Sequence, residues 1–120
     1  MEMIVLSISN DYTKTPGART KEQGDFSGED FRETKLIPAF KKATDEHRKL
    51  LVDLDGCYGF LLSFLDEAFG GLTLEFGKSV VKETLDIKSE DERSLIDAVN
   101  TSVEEWEEKR LAGGNHNEKM

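Results

Sequence analysis

The chain is short of cysteine, histidine and positive charge. Cys57 is its one cysteine, so no disulfide forms within the chain, and a disulfide-stapled fold is excluded. His47 and His116 with that cysteine do not have the spacing of a zinc site. No metal and no cofactor is expected. No apolar run reaches the roughly 20 residues of a membrane-spanning helix. The opening MEMIVLSIS is apolar but short, and no small-residue cleavage site follows it. Lys and Arg total 16 against 25 Asp and Glu, for a net charge of −9. Nucleic-acid binding needs cations to displace counterions from phosphate, so this balance opposes it. An anionic membrane surface is repelled as well. A basic patch on a protein partner remains compatible. The expectation is a soluble, cytoplasmic protein.

What is present suits one small domain. The 120 residues are 37% hydrophobic and 34% charged, enough for a lean core under a well-solvated surface. Met3 to Ile8 reads as a strand buried on both faces. Asn10 to Gly24 is a long polar loop with Pro16 and Gly17, and a short strand over Ala18 to Lys21 fits within it. Ser27 reads as an N-cap with Asp30 in the capping-box position, and Phe26 with Phe31 as a hydrophobic staple. Pro38 interrupts the helix that follows, which predicts a kink or a break.

The most informative stretch is Leu50 to Leu72, LLVDLDGCYGFLLSFLDEAFGGL. It predicts a central strand, a turn with Gly56 and Gly59, and a helix beginning near Ser63 with Asp66 in the capping-box position. Leu50, Val52 and Leu54 point to one face, and Leu51, Asp53 and Asp55 to the other. Gly70 and Gly71 weaken a helix, which predicts that another backbone packs close there. Gly77 is a C-cap. Leu85 to Lys88 reads as a further strand, after a helical turn at Val80 and Val81. Ser89 with Glu92 predicts the capping box of a last helix, whose apolar stripe is Leu95, Val99, Val103 and Trp106. The domain spans 1–111, and 112–120 is a polar, flexible tail.

Ligands and partners of open α/β sheets meet the protein where strands end and helices begin. Asp53 and Asp55 share a strand face and admit two readings. In one they are the nucleophile and general acid of a Mg²⁺-dependent phosphatase of haloacid-dehalogenase type. Against it, Cys57 stands where that motif carries threonine, the motif lies mid-chain, and the chain beyond it is short. In the other reading Asp55 bonds the backbone of the Gly56 turn. Ser63 reads as an N-cap, and Asp66 and Glu67 as acids favoured by a helix N-terminus. Arg19 and Arg32 suit an anion or a partner carboxylate, and Arg32 also suits pairing with a neighbour such as Glu29. Tyr58 and Phe60 are either core caps or partner-facing aromatics.

Three segments in order, TPGARTKEQGDFSGEDFRETKLIPAF, VDLDGCYGFLLSFLDEAFGGL and LDIKSEDERSLIDAV, resemble the bacterial STAS-like domain proteins of unknown function. The resemblance implies a single α/β domain: a mixed sheet of four to five strands with helices mainly on one face. It implies a non-catalytic regulatory module whose partner is a protein, such as an ATPase of the histidine-kinase fold. It also implies a phosphoacceptor serine at the start of the helix after the central strand. Ser63 matches the second of two serines in that pattern, and Leu62 stands in place of the first.

The interaction surface expected from these readings comprises Asp55, Gly56, Tyr58, Gly59, Phe60, Ser63, Asp66 and Glu67. Ser63 is the candidate phosphoacceptor, and Arg19 and Arg32 are candidate anion-binding residues. A small-ligand, anion or nucleotide sensor is the alternative, and the phosphatase a further one.

Overall fold

Alternation along the central strand sets the architecture. Leu50 and Val52 have no exposed surface, while Leu51 and Asp53 between them are only half-buried. One face of the sheet therefore carries the helices and the other meets solvent. The computed structural model describes residues 2–118. Strands β1 (Ile4–Ser7), β2 (Leu50–Asp53) and β3 (Leu85–Lys88) pair in parallel in the order β1-β2-β3. Leu6, Val52 and Ile87 stand in register on the covered face, and Val5, Leu51 and Asp86 on the open one.

Two expectations are corrected here. β1 is not buried on both faces, since Val5 is 58% exposed on the side of the sheet opposite Leu6. The sheet has three parallel strands among the described residues, not a mixed four to five. The Ala18 to Lys21 segment is not one of them. Its carbonyls at Ala18 and Arg19 accept the N–H groups of Gly28 and Glu29, at 2.9 and 3.0 Å. Those are free donors of a helix N-terminus, and they draw the loop away from any ladder.

The connections carry the helices. A short α1 (Ile8–Asp11) follows β1, and Lys21–Gln23 forms a 3-10 turn. Helix α2 runs through three segments, Gly28–Phe31, a π-helical turn Arg32–Leu36, and Ile37–Asp45. Ser27 caps it as expected, its hydroxyl accepting from Asp30 N–H at 3.0 Å. The Phe26–Phe31 staple is completed by Tyr12, whose ring lies 5.5 and 5.3 Å from the two phenylalanines. Pro38 does not break the helix. The wider turn just before it, with Ile37 N–H bonded to the Arg32 carbonyl, absorbs the missing donor and the bulk of the ring.

Helix α3 repeats this design, with Leu62–Leu65, a π-helical turn Asp66–Gly70, and Gly71–Phe76. Gly77 ends it at φ +89°, as a C-cap should. Helix α4 (Lys78–Thr84) leads into β3, and α5 (Ser94–Glu118) follows. Its start is a correction: Ser89 donates to the Glu92 carbonyl within a loop, and the helix begins at Ser94. Its stripe is as expected, with Leu95, Val99 and Val103 at most 5% exposed. The helical backbone continues past the Ala112 boundary drawn for a tail. Residues 119 and 120 of that tail lie outside the described residues.

The core joins both helix-bearing connections to the sheet. Phe31, Phe40, Phe64 and Phe69 are fully buried, and Phe31 stacks on Phe64 at 5.7 Å. No helix among the described residues is long and apolar enough to cross a membrane.

Candidate functional site

The turn leaving β2 is held by a reciprocal clasp. Asp55 Oδ1 accepts from Asp91 N–H at 2.8 Å, and Asp91 Oδ2 accepts from Gly56 N–H at 3.0 Å. Lys88 Nζ donates to Asp55 Oδ2 at 3.1 Å and lies 3.7 Å from Asp53. Asp53 Oδ1 accepts from Asp55 N–H at 2.9 Å. Both Asp55 oxygens thus have protein donors. The Asp91 N–H, with the Glu90 N–H and Lys88, holds the Asp55 carboxyl below the usual carboxylate range against the opposing effect of desolvation. Asp55 therefore does not bond the backbone of its own Gly56 turn, as the sequence led us to expect: its carboxylate reaches the loop after β3, and Asp91 from that loop accepts from Gly56 N–H. Gly56 at φ +90° is required here, because a Cβ would also press on Ser9 Oγ.

The rest of the turn divides into inward and outward side chains. Cys57 faces the loop, its thiol 3.5 Å from the Thr13 carbonyl, and burial pushes its pKa up to about 11. At neutral pH it is a thiol, not a nucleophile. Tyr58 N–H donates to the Lys14 carbonyl at 2.9 Å, yet the side chain is 84% exposed. Phe60 turns inward against Phe64 at 5.7 Å. A side chain at Gly59 would meet open space. Leu61 and Leu62 are 55% and 66% exposed.

Ser63 is not the cap of α3. Leu61 holds that position without a side-chain bond, and Ser63 lies in the first turn, half-buried. Two leucines occupy the places where a capping side chain could act, so the helix starts on backbone bonds alone, Phe64 N–H to the Leu61 carbonyl. Ser63 instead lines a cleft of about 360 Å³ with Arg19, Leu62, Ala98, Thr101 and Glu105 among its walls.

Asp66, Glu67, Arg19 and Arg32 meet in one network. Arg19 donates to Asp66 Oδ2 at 2.9 Å and to Glu67 Oε1 at 3.4 Å. Arg32 donates to both the carboxylate and the backbone carbonyl of Glu67, each at 2.7 Å. Ser102 and Trp106 of α5 donate to Asp66 Oδ1, at 2.8 and 2.9 Å. Burial raises the Asp66 pKa, but bonds from Ser102, Arg19 and Trp106 outweigh it and hold the carboxyl below its ordinary value. Asp66 is therefore a junction, not half of a capping box. The partner of Arg32 is Glu67 and not Glu29, which accepts from Lys21 N–H.

The network explains the paired glycines. A Cβ on Gly70 would overlap the Trp106 indole, and one on Gly71 the Arg32 guanidinium. The close neighbours are side chains, not the backbone that the sequence led us to expect. Ser102, Lys88 and Asp91 were not among the site residues expected from sequence, and Trp106 was expected only as part of the apolar stripe of the last helix. Gly70 and Gly71 are the signal that could have found Trp106, since an indole needs such a gap.

Among the described residues no group of three His, Cys, Asp or Glu side chains is arranged to hold a metal ion. Residues 27–95, more than half of the chain, match the family model described as a STAS-like domain of unknown function (DUF4325). Arg19, Ser102 and Trp106 lie outside that stretch. No curated protein and no solved structure matches the chain.

Proposed function

We propose that this chain, which belongs to the family of STAS-like domains of unknown function, is a non-enzymatic regulatory module that binds another protein. The observation that carries the reading is the exposure of Tyr58, Leu61 and Leu62 within five residues of one turn and helix start. Large apolar side chains held out together, beside a clasped turn, suit a docking surface better than a solvated loop. The clasp through Asp55, Gly56 and Asp91 supports it, because a fixed turn loses less entropy on binding.

Asp66 and Glu67 then act from behind the surface, by fixing α3 against α5 and the Arg19 loop. Arg19 and Arg32 already face carboxylates, which weighs against an anion sensor. The partner suggested by STAS proteins is an ATPase of the histidine-kinase fold, a step that rests on fold analogy. The setting that fits this role is the bacterial cytoplasm.

Immobilised protein, in wild-type form and as Tyr58→Ser with Leu62→Asp, tests the reading against lysate of the source cell. Wild type should retain one stoichiometric protein, and the doubly substituted protein, folded by circular dichroism, should lose most of it. Equal capture by both proteins would place the surface elsewhere.

A further inference from the structure

Strand β3 pairs with β2 on one side and, among the described residues, with no strand on the other. The Lys88 carbonyl accepts from Leu54 N–H at 2.8 Å, on the β2 side. Alternation along the strand then turns the backbone N–H and C=O of Leu85 and Ile87 outward. Beside this edge runs a groove of about 310 Å³, with Leu85, Ile87, Ile96 and Val99 in its walls and Lys82, Asp86 and Asn100 among them. An unpaired strand edge is a template for another strand.

We propose that β3 pairs antiparallel with β3 of a second copy of this chain, about a two-fold axis at Ile87. The charges select this occupant and this register. Only the outward residues can exchange backbone bonds, and an axis on Leu85 or Lys88 would run the pairing out of the strand into α4 or the loop after β3, so the axis falls on Asp86 or on Ile87. An axis on Asp86 sets Asp86 against its own counterpart, a repulsive pair. An axis on Ile87 lets the two Ile87 residues exchange both backbone bonds. Asp86 then faces Lys88 of the second copy, and Lys88 faces Asp86. These are non-hydrogen-bonded pairs, the kind whose side chains approach more closely.

Both charged residues lie on the open face of the sheet, their side chains 47% and 40% exposed. Among the described residues Asp86 reaches Lys49, at 4.0 Å, and can turn to a new partner. Lys88 is already bonded to Asp55 at 3.1 Å and lies 3.7 Å from Asp53, so it meets Asp86 of the second copy with the remaining donors of its ammonium group. The contact is the same patch on both copies and closes at two, giving one continuous six-stranded sheet. The net charge of −9 on each copy opposes approach, but beyond about 8 Å that repulsion is screened at 0.15 M salt.

Sedimentation at that salt concentration tests the inference, over roughly 1 to 500 µM because so short an interface belongs to the weak class. Wild type should move from monomer to dimer with concentration. Asp86→Lys and Lys88→Asp should each weaken self-association at least tenfold. An equimolar mixture of the two should form a heterodimer, because every facing pair is then opposite in sign. A wild type that stays monomeric throughout, or a dimer indifferent to Asp86→Lys, overturns the proposal. Should either substituted chain fail to fold, hydrogen exchange on wild type decides instead. The Ile87 amide gains protection with concentration if the edge pairs, and a constant rate overturns the proposal.

Discussion

Asp66 gathers donors from three separated parts of the chain: Arg19 in the long loop, and Ser102 and Trp106 on α5. Those bonds favour its ionised form and hold its folded-state pKa below the ordinary aspartate value. A carboxyl lowered in this way contributes stability above its unfolded pKa and loses it as pH falls through the folded value. Asp55 is lowered too and acts in the same direction. The protein should therefore lose stability below about pH 4, the ordinary range for aspartate. Asp66→Asn should cost about 1–3 kcal/mol at pH 7, as a charged hydrogen-bond acceptor is lost. Its deficit relative to wild type should narrow as both are acidified. Urea midpoints from pH 7 to pH 2 measure this, and a gap that stays constant to the lowest pH would count against the network.

The sheet and the two interrupted helices each show an element shaped by what it packs against. β1 looks uniformly apolar in sequence, but only one of its faces has helices to cover it. Leu6→Ala should cost about 2–5 kcal/mol, the range for emptying a core site. Val5→Lys, one residue away, should change stability by less than about 0.5 kcal/mol. Thermal melts of the two proteins separate the cases, and equal losses would mean that the open face is covered. In α2 and α3 a π-helical turn sits where a regular helix would be strained or misdirected. Before Pro38 it absorbs the missing donor. At Asp66–Gly70 it coincides with the charged junction, and the Glu67 carbonyl there is one that Arg32 reaches.

Taken whole, the described fold extends beyond the stretch that matches the family model. Residues 27–95 omit β1, α1, Arg19 and nearly all of α5. Those parts supply Leu6 and Ile8 to the core, and Val99, Val103 and the Trp106 ring against α3. A fragment of residues 27–95 should show no cooperative melt by circular dichroism, while the full chain does. A fragment that melts cooperatively would mean that the flanking elements are additions to a complete fold.

Local chemistry was enough for much of this architecture. The Ser27 cap, the Gly77 stop, the alternation of β2 and the Leu95–Val99–Val103 stripe each depend on neighbours a few residues away, and each stands as the sequence predicts. The outward turn of Tyr58 and the inward turn of Phe60 were left open by sequence, because two aromatics flanking a glycine carry no local mark of which will find a core. Pairings across long separations were equally illegible. Arg19 meets Asp66 across 47 residues, Trp106 meets it across 40, and Lys88 meets Asp55 across 33. Such contacts follow from the path of the chain. That path is set by the collective burial of the core and not by any residue's own preference. For the same reason only the tertiary structure decided the number of strands: the Ala18 and Arg19 carbonyls could bond a strand or a helix end, and the start of α2 reached them.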